Sequence, residues 1–108
     1  YKDGIINIYS GGITYVHSEV HYLTVHTADV NSYVIRKNMM DFGQDITGTD
    51  IVRAHKKYMI NYRYISRINQ STNEVIMIDG ETLKLGRSYK DTFMKGYMQY
   101  RHNRQTYE

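Results

Sequence analysis

Val52-Arg53-Ala54-His55-Lys56-Lys57-Tyr58-Met59-Ile60-Asn61-Tyr62-Arg63-Tyr64-Ile65-Ser66-Arg67 is the densest basic stretch of the chain, with five Lys/Arg and three Tyr in sixteen residues. It lies in a longer window, from Asp50 to Glu74, with no acidic side chain between them. Lys and Arg neutralise phosphates, while Tyr and Asn add hydrogen bonds and flat surface. That composition suits a nucleic-acid contact surface better than a catalytic pocket. The same run also fits a solvated strand or loop whose charges keep it soluble.

Working outward, short β-branched and aromatic runs dominate. Residues 5–9 read as a strand, Gly11-Gly12 as a turn and residues 13–17 as a second strand. Ser18-Glu19-Val20-His21 is a polar break. Residues 22–27 alternate as a third strand, residues 28–31 turn the chain, and residues 32–36 pair back as a fourth strand. Over residues 38–46 the period changes: Met39, Phe42 and Ile46 share one face of a short helix, and Gly48 suits its exit. Beyond the basic stretch, residues 64–69 and 74–78 read as strands around a turn at 70–73. Asp79-Gly80 turns the chain again before a strand at 82–85. Ser88 with Asp91 matches a capping box, and Tyr89, Phe93, Tyr97 and Tyr100 then recur at helical spacing. The order predicts a mainly β domain of antiparallel sheets with two short helices.

The chain has 108 residues, which suits one domain with one modest core. Tyr supplies twelve of its aromatic residues, and Tyr favours half-buried sheet surfaces where the ring packs and the hydroxyl stays wet. Net charge is +3, but it is unevenly spread: −3 over residues 1–50 and +6 over residues 51–108. A polyanion would meet the second half. With no Cys, disulfides and thiolate metal sites are excluded. No apolar run approaches the roughly 18–20 residues of a membrane helix, so the expectation is a cytoplasmic domain without membrane contact. The first residue is Tyr1 rather than Met, which suggests a piece of a longer protein.

Ile51-Val52-Arg53-Ala54-His55-Lys56-Lys57-Tyr58-Met59-Ile60-Asn61, followed by Ile65 and Ile68, resembles the signature of the LytTR DNA-binding domain. That family typically shows Phe-x-Arg-x-His-Arg-Ser-Tyr-Ile-Val-Asn with isoleucines at the same offsets. The likeness continues through Asp79-Gly80 to Leu85-Gly86-Arg87-Ser88-Tyr89, similar to the family's Gly…Val-Ser-Arg-x-Tyr element. Upstream, residues 13–27 are similar to its first hairpin. Each match is degenerate, but three in order over nearly the whole chain are specific.

The resemblance implies an elongated domain over residues 1–108, the C-terminal part of a bacterial response regulator. It also implies loops entering successive major grooves of double-stranded DNA, and copies that pair on repeated sites and bend the DNA. The family's base-contact positions fall here on His21, Lys56 and Arg87. His21 can donate or accept toward a base edge, and Arg87 can pair bidentately with guanine. Lys56 departs from the family's Asn or Arg, which leaves its preferred base open. Tyr22, Arg53, Lys57 and Lys90 are expected on the phosphate backbone. Lys57 replaces the usual Ser, and Lys84 and Gly86 replace the frequent Pro and Ser; Gly86 is expected to loosen the approach to Arg87. Tyr58 and Ile60 are expected in the core.

No catalytic residue is assigned, because nothing resembles a nucleophile elbow, phosphate loop or paired-carboxylate site. His17, Glu19 and His21 alternate with His26 nearby, and imidazole and carboxylate suit zinc. However, this is not the His-Glu-x-x-His helix motif, and a loop at residue 18 breaks the shared face, so no metal or cofactor is expected. A Tyr-rich sheet that stacks single-stranded DNA or RNA is the alternative function, although no RRM aromatic motif is present.

Overall fold

The computed structural model describes residues 8–29 and 31–105. In order they form β1 (Ile13–Ser18), β2 (Leu23–Thr27), β3 (Ser32–Ile35), α1 (Met39–Asp45), β4 (Ile51–His55), β5 (Tyr58–Asn61), β6 (Ile65–Asn69), β7 (Glu74–Met77), β8 (Thr82–Lys84) and α2 (Lys90–Gln105). Five strands make one sheet in the order β3-β2-β1-β5-β4, and three make a second in the order β6-β7-β8. All pairings are antiparallel. The mainly β architecture read from the residues is therefore the one observed, with overall extents of 43 × 31 × 26 Å.

Two separate cores lie on the two faces of the larger sheet. On one, Ile13, Val16, Leu23, Val25 and Met59 meet Met39, Phe42 and Ile46 of the α1 region. On the other, Ala54 and Ile60 meet Ile65, Val75, Met77 and Leu83 of the smaller sheet and Phe93 of α2. Strand β5 is central to both. Tyr58 and Ile60 turn to the second core as expected, while Met59, between them, is buried in the first. A sheet covered on both faces needs a continuous apolar run, and Tyr58-Met59-Ile60 supplies it.

Irregularities in the strands set which residues share a face. A register shift between Ile13 and Tyr15 lets Ile13 and Val16 enter the same core although three apart in sequence. A second shift lies between Arg53 and His55. The buried Asn61 side chain ties the sheet to the next element. Its Nδ2 donates to the Ile13 carbonyl at 2.8 Å and its Oδ1 accepts from the Arg63 amide at 3.0 Å.

Both helices start where local chemistry allows. The Asn38 side chain accepts the Asp41 amide at 2.8 Å and caps α1. Helix α2 opens later than the Ser88 capping pattern implies. Tyr89 first closes a turn onto the Gly86 carbonyl at 3.0 Å, and its own carbonyl then accepts the Phe93 amide at 2.9 Å. The helix runs sixteen residues and ends in a basic last turn with His102 and Arg104. Tyr62 packs its ring against Phe93, Tyr97 and Tyr100 and donates its hydroxyl to the Phe93 carbonyl at 2.9 Å. Burial, with a smaller contribution from Asp50, pushes that hydroxyl's pKa up to about 12.

The strand expected over residues 5–9 falls partly outside the described residues. Ile8 and Tyr9 are not in a strand, and they lead into a 3-10 turn at Ser10–Gly12. Tyr64 belongs to another such turn, Tyr62–Tyr64, rather than to β6. Among the described residues, no helix is long and apolar enough to cross a membrane.

Candidate nucleic-acid interface

The β4–β5 hairpin carries Lys56 and Lys57 at its tip, and the loops on either side are bonded to it. The Ser18 amide donates to the Lys57 carbonyl at 2.9 Å, which joins the loop bearing His21. The Gly86 amide donates to the Ala54 carbonyl at 2.8 Å, which joins the loop bearing Arg87. Three segments distant in sequence thus meet at one end of the larger sheet. His21, Lys56, Lys57 and Arg87 are all exposed there.

Arg53 braces the centre of this cluster. Its Nε donates to the His55 carbonyl at 2.9 Å and its Nη2 to the Lys56 carbonyl at 2.6 Å. Its guanidinium lies 5.3 Å from the Tyr89 ring centroid, a cation–π contact that reaches the Arg87 loop. Two of the guanidinium's five N–H donors are thus directed to the hairpin's own carbonyls.

Gly86 is held rather than loose. A Cβ at this position would meet the His55 Cα at 3.2 Å and the Tyr89 ring at 3.2 Å. The missing side chain lets the Arg87 loop lie against the hairpin backbone. His55 completes the junction: its Nδ1 accepts the Lys57 amide at 3.1 Å, and its ring packs 5.0 Å from that of Tyr58. Burial, followed by the charges of Lys56, Lys57 and Arg53, holds the His55 pKa below its ordinary value.

Beside the hairpin a cavity of about 660 Å³ opens between the 18–22 loop and the start of α1. His21, Tyr22, Arg53 and Lys56 line it, together with Arg36 and the acidic Glu19 and Asp41. The Arg36 guanidinium sits 5.7 Å from the Tyr22 ring centroid. Composition does not single out Arg36, because it lies in the acidic half. Strand pairing could have found it: Leu23 faces Ile35, so Arg36 emerges beside Tyr22.

Lys90 is the one expected contact residue that these bonds do not draw in. Its ammonium donates to the Gln70 carbonyl and the Asn73 side chain, on the β6–β7 turn. Lys84 donates to the Thr72 carbonyl of the same turn at 3.0 Å. The histidine–carboxylate alternation also separates: Glu19 lies 3.4 Å from His17 Nδ1, whereas His26 stacks on Tyr15 at 4.1 Å. Among the described residues no three His, Cys, Asp or Glu side chains gather to hold a metal.

Comparison with known proteins gives concordant matches. The LytTr DNA-binding domain family matches residues 3–98. The sensory transduction protein LytT of Bacillus subtilis (strain 168) is 26% identical over 96 residues, covering 86% of this chain and 39% of that protein. The chain therefore spans well under half the length of that curated relative. A solved LytTr DNA-binding domain from Bacillus cereus superposes with a TM-score of 0.77 at 18% identity, covering 89% of this chain and 90% of that one. Since the family match extends over most of the sequence, the chain belongs to the LytTr DNA-binding domain family.

Proposed function

We propose that this domain binds double-stranded DNA sequence-specifically for a bacterial transcription regulator acting in the cytoplasm, with its loops in successive major grooves. His21, Lys56 and Arg87 read base edges, where the major groove carries an unambiguous hydrogen-bond code. Lys57 and Tyr22 hold the backbone, and Lys90 does so once released from its turn. Arg53 joins them on the backbone through its remaining N–H groups while it also fixes the Lys56 carbonyl. Two copies pair on repeated sites. Where the parent protein carries a receiver domain, that domain controls the pairing.

The observation that carries this reading is the pair of main-chain bonds, Ser18 to Lys57 and Gly86 to Ala54, that fasten two outer loops to the basic hairpin. Loops held against a hairpin that exposes Lys56 and Lys57, with Arg87 exposed beside it, suit a rigid, regularly spaced polyanion. The test is selection from a random duplex library, followed by competition against single strands and RNA. Enrichment of a defined duplex motif, bound more weakly as salt rises, is the expected result. Recovery of unpaired strands in preference to duplex would favour the base-stacking alternative, and an absence of salt-dependent duplex binding would overturn the proposal.

A further inference from the structure

Val20 is 89% exposed, the most exposed of the large hydrophobics among the described residues, and it stands beside His21 at a loop tip. Scattered surface hydrophobics are common, but the setting of this one is particular. Its loop is closed by the Glu19 amide donating to the Tyr22 carbonyl at 2.7 Å and anchored by the Ser18–Lys57 bond. The Glu19 carboxylate lies toward His17, at 3.4 Å from its Nδ1. That leaves a hydrogen-bonded tip presenting an apolar, β-branched side chain next to an imidazole. Val20 also lines the same cavity as His21, Tyr22, Arg53 and Lys56.

Within a major groove the apolar feature on base edges is the C5 methyl of thymine. A hydrogen bond cannot read it, whereas a short branched apolar side chain can pack on it. We propose that Val20 is a specificity-determining residue that packs on a thymine methyl next to the base pair read by His21. This rests on the double-stranded DNA reading above and adds a chemical class of contact to it, a 5-methylpyrimidine.

The test is a deoxyuridine scan of the selected duplex, which removes one methyl at a time and keeps every hydrogen-bonding group. With the wild-type domain, one thymine in each site should weaken binding about three- to fivefold when replaced, the worth of one buried methyl. In Val20→Ser the thymine and deoxyuridine duplexes should bind alike at that position, and Val20→Ile should retain the difference. Because Val20 is exposed, both variants should keep the wild-type unfolding midpoint. Binding of the parent duplex with no sensitive thymine, or with sensitivity that persists in Val20→Ser, overturns the role of Val20 and leaves duplex binding intact. A failure to bind the parent duplex at all overturns both.

Discussion

The hydroxyl of Tyr62 occupies the space that a side chain on Gly96 would fill: a Cβ there would come within 2.2 Å of that oxygen. Gly96 lies inside α2, where glycine is ordinarily unfavourable by about 1 kcal/mol relative to alanine. Its absence of a side chain lets the Tyr62 ring pack between the helix and the second core. Gly96→Ala should therefore destabilise the domain by about 1–3 kcal/mol, the usual cost of overpacking, despite the gain in helix propensity. Adding Tyr62→Phe should recover part of that loss, and urea unfolding of the four proteins in the cycle measures the coupling. Additive effects would show that the two residues do not share the space.

Asn61 is 3% exposed and satisfies both the Ile13 carbonyl and the Arg63 amide. Asn61→Ala leaves those backbone groups without the side chain that pairs them, at about 1–3 kcal/mol for each group left unsatisfied. The expected result is a lower urea midpoint with the far-ultraviolet spectrum retained. An unchanged midpoint would mean that the two groups find other partners.

Arg53 makes its bonds through a fork that Lys cannot reproduce, to the His55 and Lys56 carbonyls. Arg53→Lys conserves charge and should still weaken binding to the selected duplex by about 1.5–3 kcal/mol, the order of one hydrogen bond made by a charged group. The salt dependence should stay as in wild type, because no cation is lost. A lysine variant with wild-type affinity would return Arg53 to a simple phosphate role.

Reading and positioning residues separate in a similar way. Arg87→Ala should lose about 1–3 kcal/mol on the selected duplex and relax preference at one base pair. Lys57→Ala should weaken binding to all duplexes and flatten the salt slope by roughly one unit. Footprints and titrations at several salt concentrations distinguish the two. A Lys57→Ala variant that loses discrimination instead would exchange their roles.

Stability should fall on acidification. His55 is held below the ordinary value of 6.5 by burial first and then by Lys56, Lys57 and Arg53. His26 is depressed too, by burial and next by His17, partly offset by Glu81 and Asp79. Both folded values lie below the unfolded one, so the unfolded chain takes up protons first. Their contribution is fully present above about pH 6.5 and is lost as the pH drops from there through the folded values. Urea midpoints taken between about pH 7.5 and 5 should decline, and His55→Asn should decline less. Parallel curves for the two proteins would remove His55 from the effect.

Outside the basic segment, most strands, turns and helix faces were legible in residue order because local chemistry sets them; β4 and β5, inside it, were not. Alternating β-branched residues, Asp79-Gly80, and Met39, Phe42 and Ile46 at helical spacing each specify their own conformation with little outside help. The family signature likewise marks the basic segment and the positions of His21 and Arg87 on either side of it. Sequence order carries no measure of what lies across a sheet, however. The pairing of β1 with β5, the double-sided burial of Met59 and its neighbours, and the fit of Tyr62 against Gly96 arise from contacts between distant segments. The direction of a long side chain is decided at the same level. Arg53 and Lys90 looked alike as surface cations, and packing turned one onto the hairpin carbonyls and the other onto the β6–β7 turn. A charged side chain takes whichever acceptors the assembled fold brings within reach, and those acceptors exist only once the sheets have met.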